Sequence, residues 1–202
     1  MSKIVVIAFP EDFLVCCSGT MIQQLENRNE VILLIIKKQK SPEFLSIINK
    51  IKKNMKSIKI EILQKLDLST ITQYNVNHIQ NFINKYNPDL VIIPFNKAKD
   101  IERRILSSSS VLSCRGISNI LMYDVQKNPL FVPSIFYNIT NNIEKKQQMC
   151  TNIKNDEIKQ NFMRLTKSSD IKNKITDAKI KFFEPYQSLR IILDSDVMRN
   201  FS

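Results

Sequence analysis

A chain of 202 residues with 43% apolar side chains has the material for one compact domain around a real core, and no stretch approaches the ~20 consecutive apolar residues of a membrane span. Thirty Lys and Arg against 19 Asp and Glu give a formal net charge of +11, which favours anionic partners, but the lysines are spread through helical segments of a Lys-, Asn- and Ile-rich chain and read as solvated surface. Only two glycines, Gly19 and Gly116, are present, which excludes the glycine-rich dinucleotide and Walker A loops.

The N-terminal apolar run is too short for a secretory signal, so a soluble cytoplasmic protein is expected. The four cysteines, Cys16, Cys17, Cys114 and Cys150, match no zinc-ribbon or redox spacing and are expected to be reduced, mostly buried thiols.

Residues 3–8 (KIVVIA) form a nearly continuous β-branched run, the pattern of a strand buried on both faces of a parallel sheet. A turn through Pro10 leads to a helical pattern over 14–28, and EVILLIIKK at 30–38 is a second buried strand. Ser41 before Pro42 and Glu43 marks the start of a helix running to about 56, with the serine as N-cap. A strand at 58–63, a helix at 69–86 ending near Asn87 and Pro88, and a strand at 88–95 follow. Beyond Lys97 the spacing predicts a helix at 98–112, a strand at 120–125, a Pro-bounded stretch at 129–138, helices across 140–180 and a closing strand at 186–193. The regular alternation predicts a single-domain α/β fold over 1–202: Rossmann-like, doubly wound, with a mostly parallel sheet, right-handed crossovers and helices on both faces.

In such a fold, function concentrates where loops leave the carboxyl ends of strands. The first of these loops is Ala8-Phe9-Pro10-Glu11-Asp12, with Gly19-Thr20 further on. The segment resembles the signature of the LmbE/PIG-L family of zinc-dependent N-acetyl-sugar deacetylases, Ala-His-Pro-Asp-Asp-Glu followed by Gly-Gly-Thr. Further segments are similar to that family in order along the chain: Pro88 to Ile92, Leu121 to Asp124, Phe131 to Thr140, Lys146, and Gln187 to Ile192.

The resemblance implies a zinc held by two histidines and an aspartate, with another aspartate as general base, and it places residues here in those roles. Phe9 stands at the first histidine, Glu11 at the general base and Asp12 at the carboxylate ligand. The second motif falls on Ala98-Lys99-Asp100-Ile101, so Ala98 and Ile101 replace histidines while Asp100 is kept as a possible ligand. A later family histidine falls near Ile153, and the only histidine, His78, lies mid-helix away from every family position. A catalytic zinc needs three protein ligands and an open position for water, so no zinc or other cofactor is expected.

Other groups remain to be weighed. Glu11, Asp12 and Asp100 either hold a hard cation such as Mg²⁺ or Mn²⁺ or serve the first helix as caps and dipole partners. Cys16 and Cys17 are substitute soft ligands or packing residues, with packing favoured. Arg103, Arg104 and Arg115, expected near the carboxyl edge of the sheet, are weak candidates for contacting a phosphate-bearing substrate. Three phenylalanines, Phe9, Phe13 and Phe95, are expected to pack together as an apolar plug over the former catalytic floor.

Three functions stay open. The favoured one is a family member with a degenerate zinc site, a non-catalytic protein of carbohydrate or glycan metabolism that binds a sugar nucleotide, a glycan, a protein partner or a second copy of itself. The second is an active N-acetyl-sugar deacetylase using a carboxylate metal site. A basic nucleic-acid-binding module is the least favoured.

Overall fold

The computed structural model describes residues 1–36, 42–64, 66–126, 128–151 and 181–191. Among the described residues, the apolar runs found in the sequence become strands and the amphipathic stretches between them helices. In chain order these are β1 (Lys3–Ala8), α1 (Pro10–Cys16), α2 (Ser18–Glu26), β2 (Glu30–Ile36), α3 (Pro42–Asn54), β3 (Lys59–Leu63) and α4 (Gln73–Tyr86). There follow β4 (Leu90–Pro94), α5 (Ile101–Ser113), β5 (Asn119–Tyr123), β6 (Ile135–Asn138), a 3₁₀ turn at Thr140–Asn142, α6 (Ile143–Cys150) and β7 (Phe183–Arg190).

The strands form one seven-stranded sheet in the order β3-β2-β1-β4-β5-β7-β6. From β3 to β5 all pairings are parallel; β7 runs antiparallel to β5, and β6 antiparallel to β7. This is the doubly wound, mostly parallel sheet that the alternating pattern predicts. The chain winds outward from β1 through β2 to β3, then crosses back to β4, so β1 and β4 are neighbours whose loops diverge.

Because side chains alternate across a strand, β1 feeds two cores. Ile4, Val6 and Ala8 pack with Phe13, Leu14, Met21, Ile51 and Met149 on one face, the face of α1, α2, α3 and α6. Val5, Ile7 and Phe9 pack with Ile79, Ile83 and Leu106 of α4 and α5 on the other. Burial on both faces explains why these strands are uninterrupted apolar runs.

Several boundaries differ from the sequence reading, for local reasons. The single helix expected over 14–28 is two. Proline at the first helical position starts α1 directly after Phe9, and the chain breaks at Cys17 before α2. The break has a polar cause: Glu184 of β7 accepts hydrogen bonds from the first backbone N–H groups of α2, at Gly19 (2.9 Å) and Thr20 (2.8 Å). Tyr186 donates to the Cys16 carbonyl at 3.1 Å. Likewise α4 starts at Gln73, not 69, because Thr72 is its N-cap and accepts from the Asn75 N–H, while Ser69 is held in a turn by Asp67. The closing strand begins earlier, at Phe183, where pairing with β6 extends it. The Ser41 cap, the helices expected over 152–180 and the strand end at 192–193 lie outside the described residues.

The Glu184 anchor is itself paired. Lys146 donates to Glu184 at 2.6 Å and to the Val15 carbonyl at 2.5 Å, both side chains being buried. Gly19 is packed against this group: a Cβ there would lie 2.9 Å from Ile139 Cδ1 and 3.1 Å from Glu184 Oε1. Gly19→Ala is therefore expected to lower stability by about 1–3 kcal/mol in urea unfolding, the range for overpacking a tight site. Gly116→Ala, with nothing within 4 Å of the added carbon, should be near neutral and is the control.

Candidate functional site

The site is built where β1 and β4 deliver their loops side by side. Phe9 ends the extended run of β1 at φ −71°, ψ 152° and serves as the N-cap position of α1; Glu11 and Asp12 follow in its first turn. On the neighbouring strand, Phe95 donates its N–H to the Tyr123 carbonyl at 2.8 Å and keeps the backbone in the sheet past Pro94. The loop then reaches Asp100, which caps α5: its side chain accepts from the Arg103 N–H at 2.9 Å, and its own N–H donates to Gln126 at 3.1 Å.

That cap aims the first turn of α5 back across the switch point. The Arg103 guanidinium grips Asp12 with two parallel hydrogen bonds, Nε to Oδ2 at 2.7 Å and Nη2 to Oδ1 at 2.6 Å. Its third nitrogen, Nη1, lies 3.4 Å from Asp100 Oδ2. Asp12 is 0% exposed, whereas the Arg103 side chain keeps 15% of its surface. The guanidinium carbon also stands 5.6 Å from the centroid of the Phe9 ring, a cation over an aromatic face. Burial acts to lower the Arg103 pKa, but the hydrogen bonds and charge of Asp12 outweigh it and raise it above its ordinary value.

Around the pair sit groups that the sequence did not single out as site residues. Tyr123 is buried, and burial together with the charge of Asp12 pushes its hydroxyl pKa up. Asp124 accepts from the Asn128 N–H at 2.7 Å through Oδ2; burial raises its pKa. Glu184 and Tyr186, below α2, were equally unmarked. The one signal for them was the run of weak matches ending at 187–192, which brings the last strand beneath the first loop.

The other expected site residues take separate places. Glu11 is half-buried in the first turn of α1. Ala98 is buried, but Ile101, at the start of α5, is 53% exposed. Arg104 turns back onto its own loop and donates to the carbonyls of Ala98 (3.0 Å) and Lys99 (3.1 Å). Arg115 is not near the carboxyl edge as expected. The thirteen-residue helix α5 carries the chain about 20 Å back along the sheet, so Arg115 lies at the opposite edge, where its carbonyl accepts from Arg190. His78 stacks on Tyr74 along α4, with ring centroids 3.9 Å apart. All four cysteines are buried and free; burial pushes the Cys16 and Cys17 thiols well up, Cys114 to about 12 and Cys150 to about 11.

The three-ring plug does not form as one cluster. Phe9, Phe13 and Phe95 are all buried, but Phe13, a turn into α1, belongs to the core on the opposite face from Phe9 and Phe95. Phe95 instead meets Phe131 edge-on at 5.2 Å. Among the described residues, no group of three or more His, Cys, Asp and Glu side chains converges to hold a metal ion.

The chain matches no protein-family model and no curated protein. Solved structures are similar over almost its whole length. Against the 4-carboxy-2-hydroxymuconate hydratase GalB of Pseudomonas putida KT2440 the TM-score is 0.75 at 12% identity, covering 96% of this chain and 99% of that one. The conserved protein TT1542 of Thermus thermophilus gives 0.76 at 14% identity, with 96% and 97% covered. The N,N'-diacetylchitobiose deacetylase of Pyrococcus horikoshii gives 0.66 at 14%, with 97% and 88% covered. The fold expected from the LmbE/PIG-L resemblance is thus the fold found, and the structures that share it include deacetylases of that type. Because a hydratase shares it too, the fold does not choose the chemistry; the side chains must.

Phe9 bears on that choice, since a ring in an open polar pocket and a ring in a core respond differently to truncation. Phe9→Ala is expected to cost roughly 3–5 kcal/mol in denaturant unfolding, the range for a buried aromatic. A variant as stable as the parent would mean that the ring lines a solvent-filled pocket.

Proposed function

We propose that this protein has the fold of the PIG-L/LmbE deacetylases but does not hydrolyse amides, and that it acts as a non-catalytic binding or partner protein in carbohydrate or glycan metabolism. One observation carries the reading: the carboxylate at the family's ligand position is fully engaged by Arg103. Metal-dependent amide hydrolysis needs three ligands and an open coordination site, where bound water loses a proton and attacks the carbonyl carbon.

The donor set here does not fit that metal. Phe9 offers a carbon ring where an imidazole is needed, Ala98 a methyl group, and Ile101 an aliphatic chain turned largely to solvent. Both oxygens of Asp12 accept from a cation that cannot be deprotonated, and Asp100 caps a helix. Glu11, at the family's general-base position, then has no activated water to serve. The same arrangement disfavours the carboxylate-only metal site, since a hard cation would have to displace Arg103 from two charge-assisted hydrogen bonds.

The carbohydrate setting is drawn from the sequence resemblance and from the similarity to a chitobiose deacetylase. The cytoplasm is the proposed location; among the described residues, no helix is long and apolar enough to cross a membrane. With purified protein supplied with zinc, acetate release from N-acetylglucosamine and N,N'-diacetylchitobiose is expected to equal the buffer blank. A rate that chelator abolishes, and that Asp12→Ala also abolishes, would establish the hydrolase instead.

A further inference from the structure

We infer that Arg103 is a built-in cation that takes over the structural work of a metal at the switch point, so that this end of the sheet assembles, and stays assembled, without any metal. The inference rests on the same site as the proposed function but makes a separate claim, about what holds the loops rather than about activity.

Three observations support it. First, Asp12 has no solvent contact, and a carboxylate in that position must be neutralised or answered by a cation. Arg103 answers it with the two-pronged geometry that matches a carboxylate plane. Second, the contact joins α1 to α5, elements that follow β1 and β4 and lie against opposite faces of the sheet. A bond between them ties the two diverging loops together, the mechanical part that shared ligands play around a metal. Third, the cation is positioned from all sides. Asp100 fixes the helix start that carries Arg103 and lies beside its third nitrogen, and the Phe9 ring lies beneath the guanidinium. Tyr123, Asp124, Cys16 and Cys17 are further titratable groups that interact electrostatically with this cluster. A single positive charge stands among Asp12, Asp100 and Asp124, less than a divalent ion would bring.

The partners are unequal, which gives the test its discrimination. Asp12 is wholly buried and Arg103 is partly solvated, so stranding the carboxylate should be worse than stranding the guanidinium. Thermal unfolding of the full chain, with and without chelator and with added Mg²⁺, Mn²⁺ or Zn²⁺, is measured for the parent, Arg103→Ala, Arg103→Lys, Asp12→Asn and the double variant Arg103→Ala/Asp12→Asn. The parent midpoint should not move with chelator or added cation. Arg103→Ala should lose on the order of 10 °C or fail to accumulate as folded protein, and Arg103→Lys, which keeps the charge but not the fork, should fall between the two. Asp12→Asn should lose less than Arg103→Ala. The double variant should regain most of the loss, because no charge is left stranded. If Arg103→Ala does not fold, a folded double variant supports the inference by itself. A parent destabilised by chelator, an Arg103→Ala variant as stable as the parent, or a double variant no better than Arg103→Ala overturns it. None of these outcomes depends on the acetate assay, so an active enzyme with an intact Arg103 lock and an inactive protein without one are told apart.

Discussion

A carboxylate buried out of reach of water has to be answered, and the structure is arranged around how Asp12 is answered. The carboxylate sits in the first turn of α1, where the positive end of the helix already favours it, and the remaining demand is met by the Arg103 fork from the first turn of α5. The fork works only if α5 begins at the right place and angle. Asp100 secures this by capping the helix, and Gln126 holds the Asp100 backbone in turn. Since α1 follows β1 and α5 follows β4, the pair also pins the point from which the two helical layers diverge. Phe9, whose imidazole counterpart in the resembling family would bind metal, instead packs in the α4/α5 core with the guanidinium over its ring.

A second buried ion pair performs a complementary task below the first loop. Glu184 accepts from the buried N–H groups at the start of α2, Lys146 pairs with it, and Tyr186 and Thr20 complete the network at 3.1–3.2 Å. Gly19, Thr20 and Lys146 are among the positions that carry the family resemblance, and each has a structural part in this anchor. Phe9, Ala98 and Ile101, among the positions at which the chain departs from the family's motifs, are ones that the resemblance assigns to metal-binding histidines.

Much of the architecture was legible in the sequence because parallel strands buried on both faces leave an unmistakable trace in runs such as KIVVIA and EVILLII. The break at Cys17 was not legible, since it is imposed by Glu184, 165 residues from Gly19 along the chain. The start of α4 was misplaced by a choice between two capping residues, Ser69 and Thr72, that only the neighbouring Asp67 decides. At the site, the loss of histidines was plain from composition, but the gain that accompanies it was not. Arg103 reads as one exposed arginine among several until the length of the loop from Phe95 to Asp100 and the cap at Asp100 bring it over Asp12. Arg115 failed for the converse reason: proximity along the chain suggested a shared edge, and a rigid helix separated the two.

The Arg103 guanidinium fills the space between Phe9, Asp12 and Asp100, and with both Asp12 oxygens engaged it should exclude a metal there. The most direct test is a crystal structure of the full chain grown in excess zinc, with anomalous differences measured at the zinc edge. No anomalous peak is expected at Asp12, and the Arg103 Nε and Nη2 atoms should remain within hydrogen-bonding distance of the two carboxylate oxygens. A zinc peak within coordination distance of Asp12, with the Arg103 side chain turned away, would contradict it.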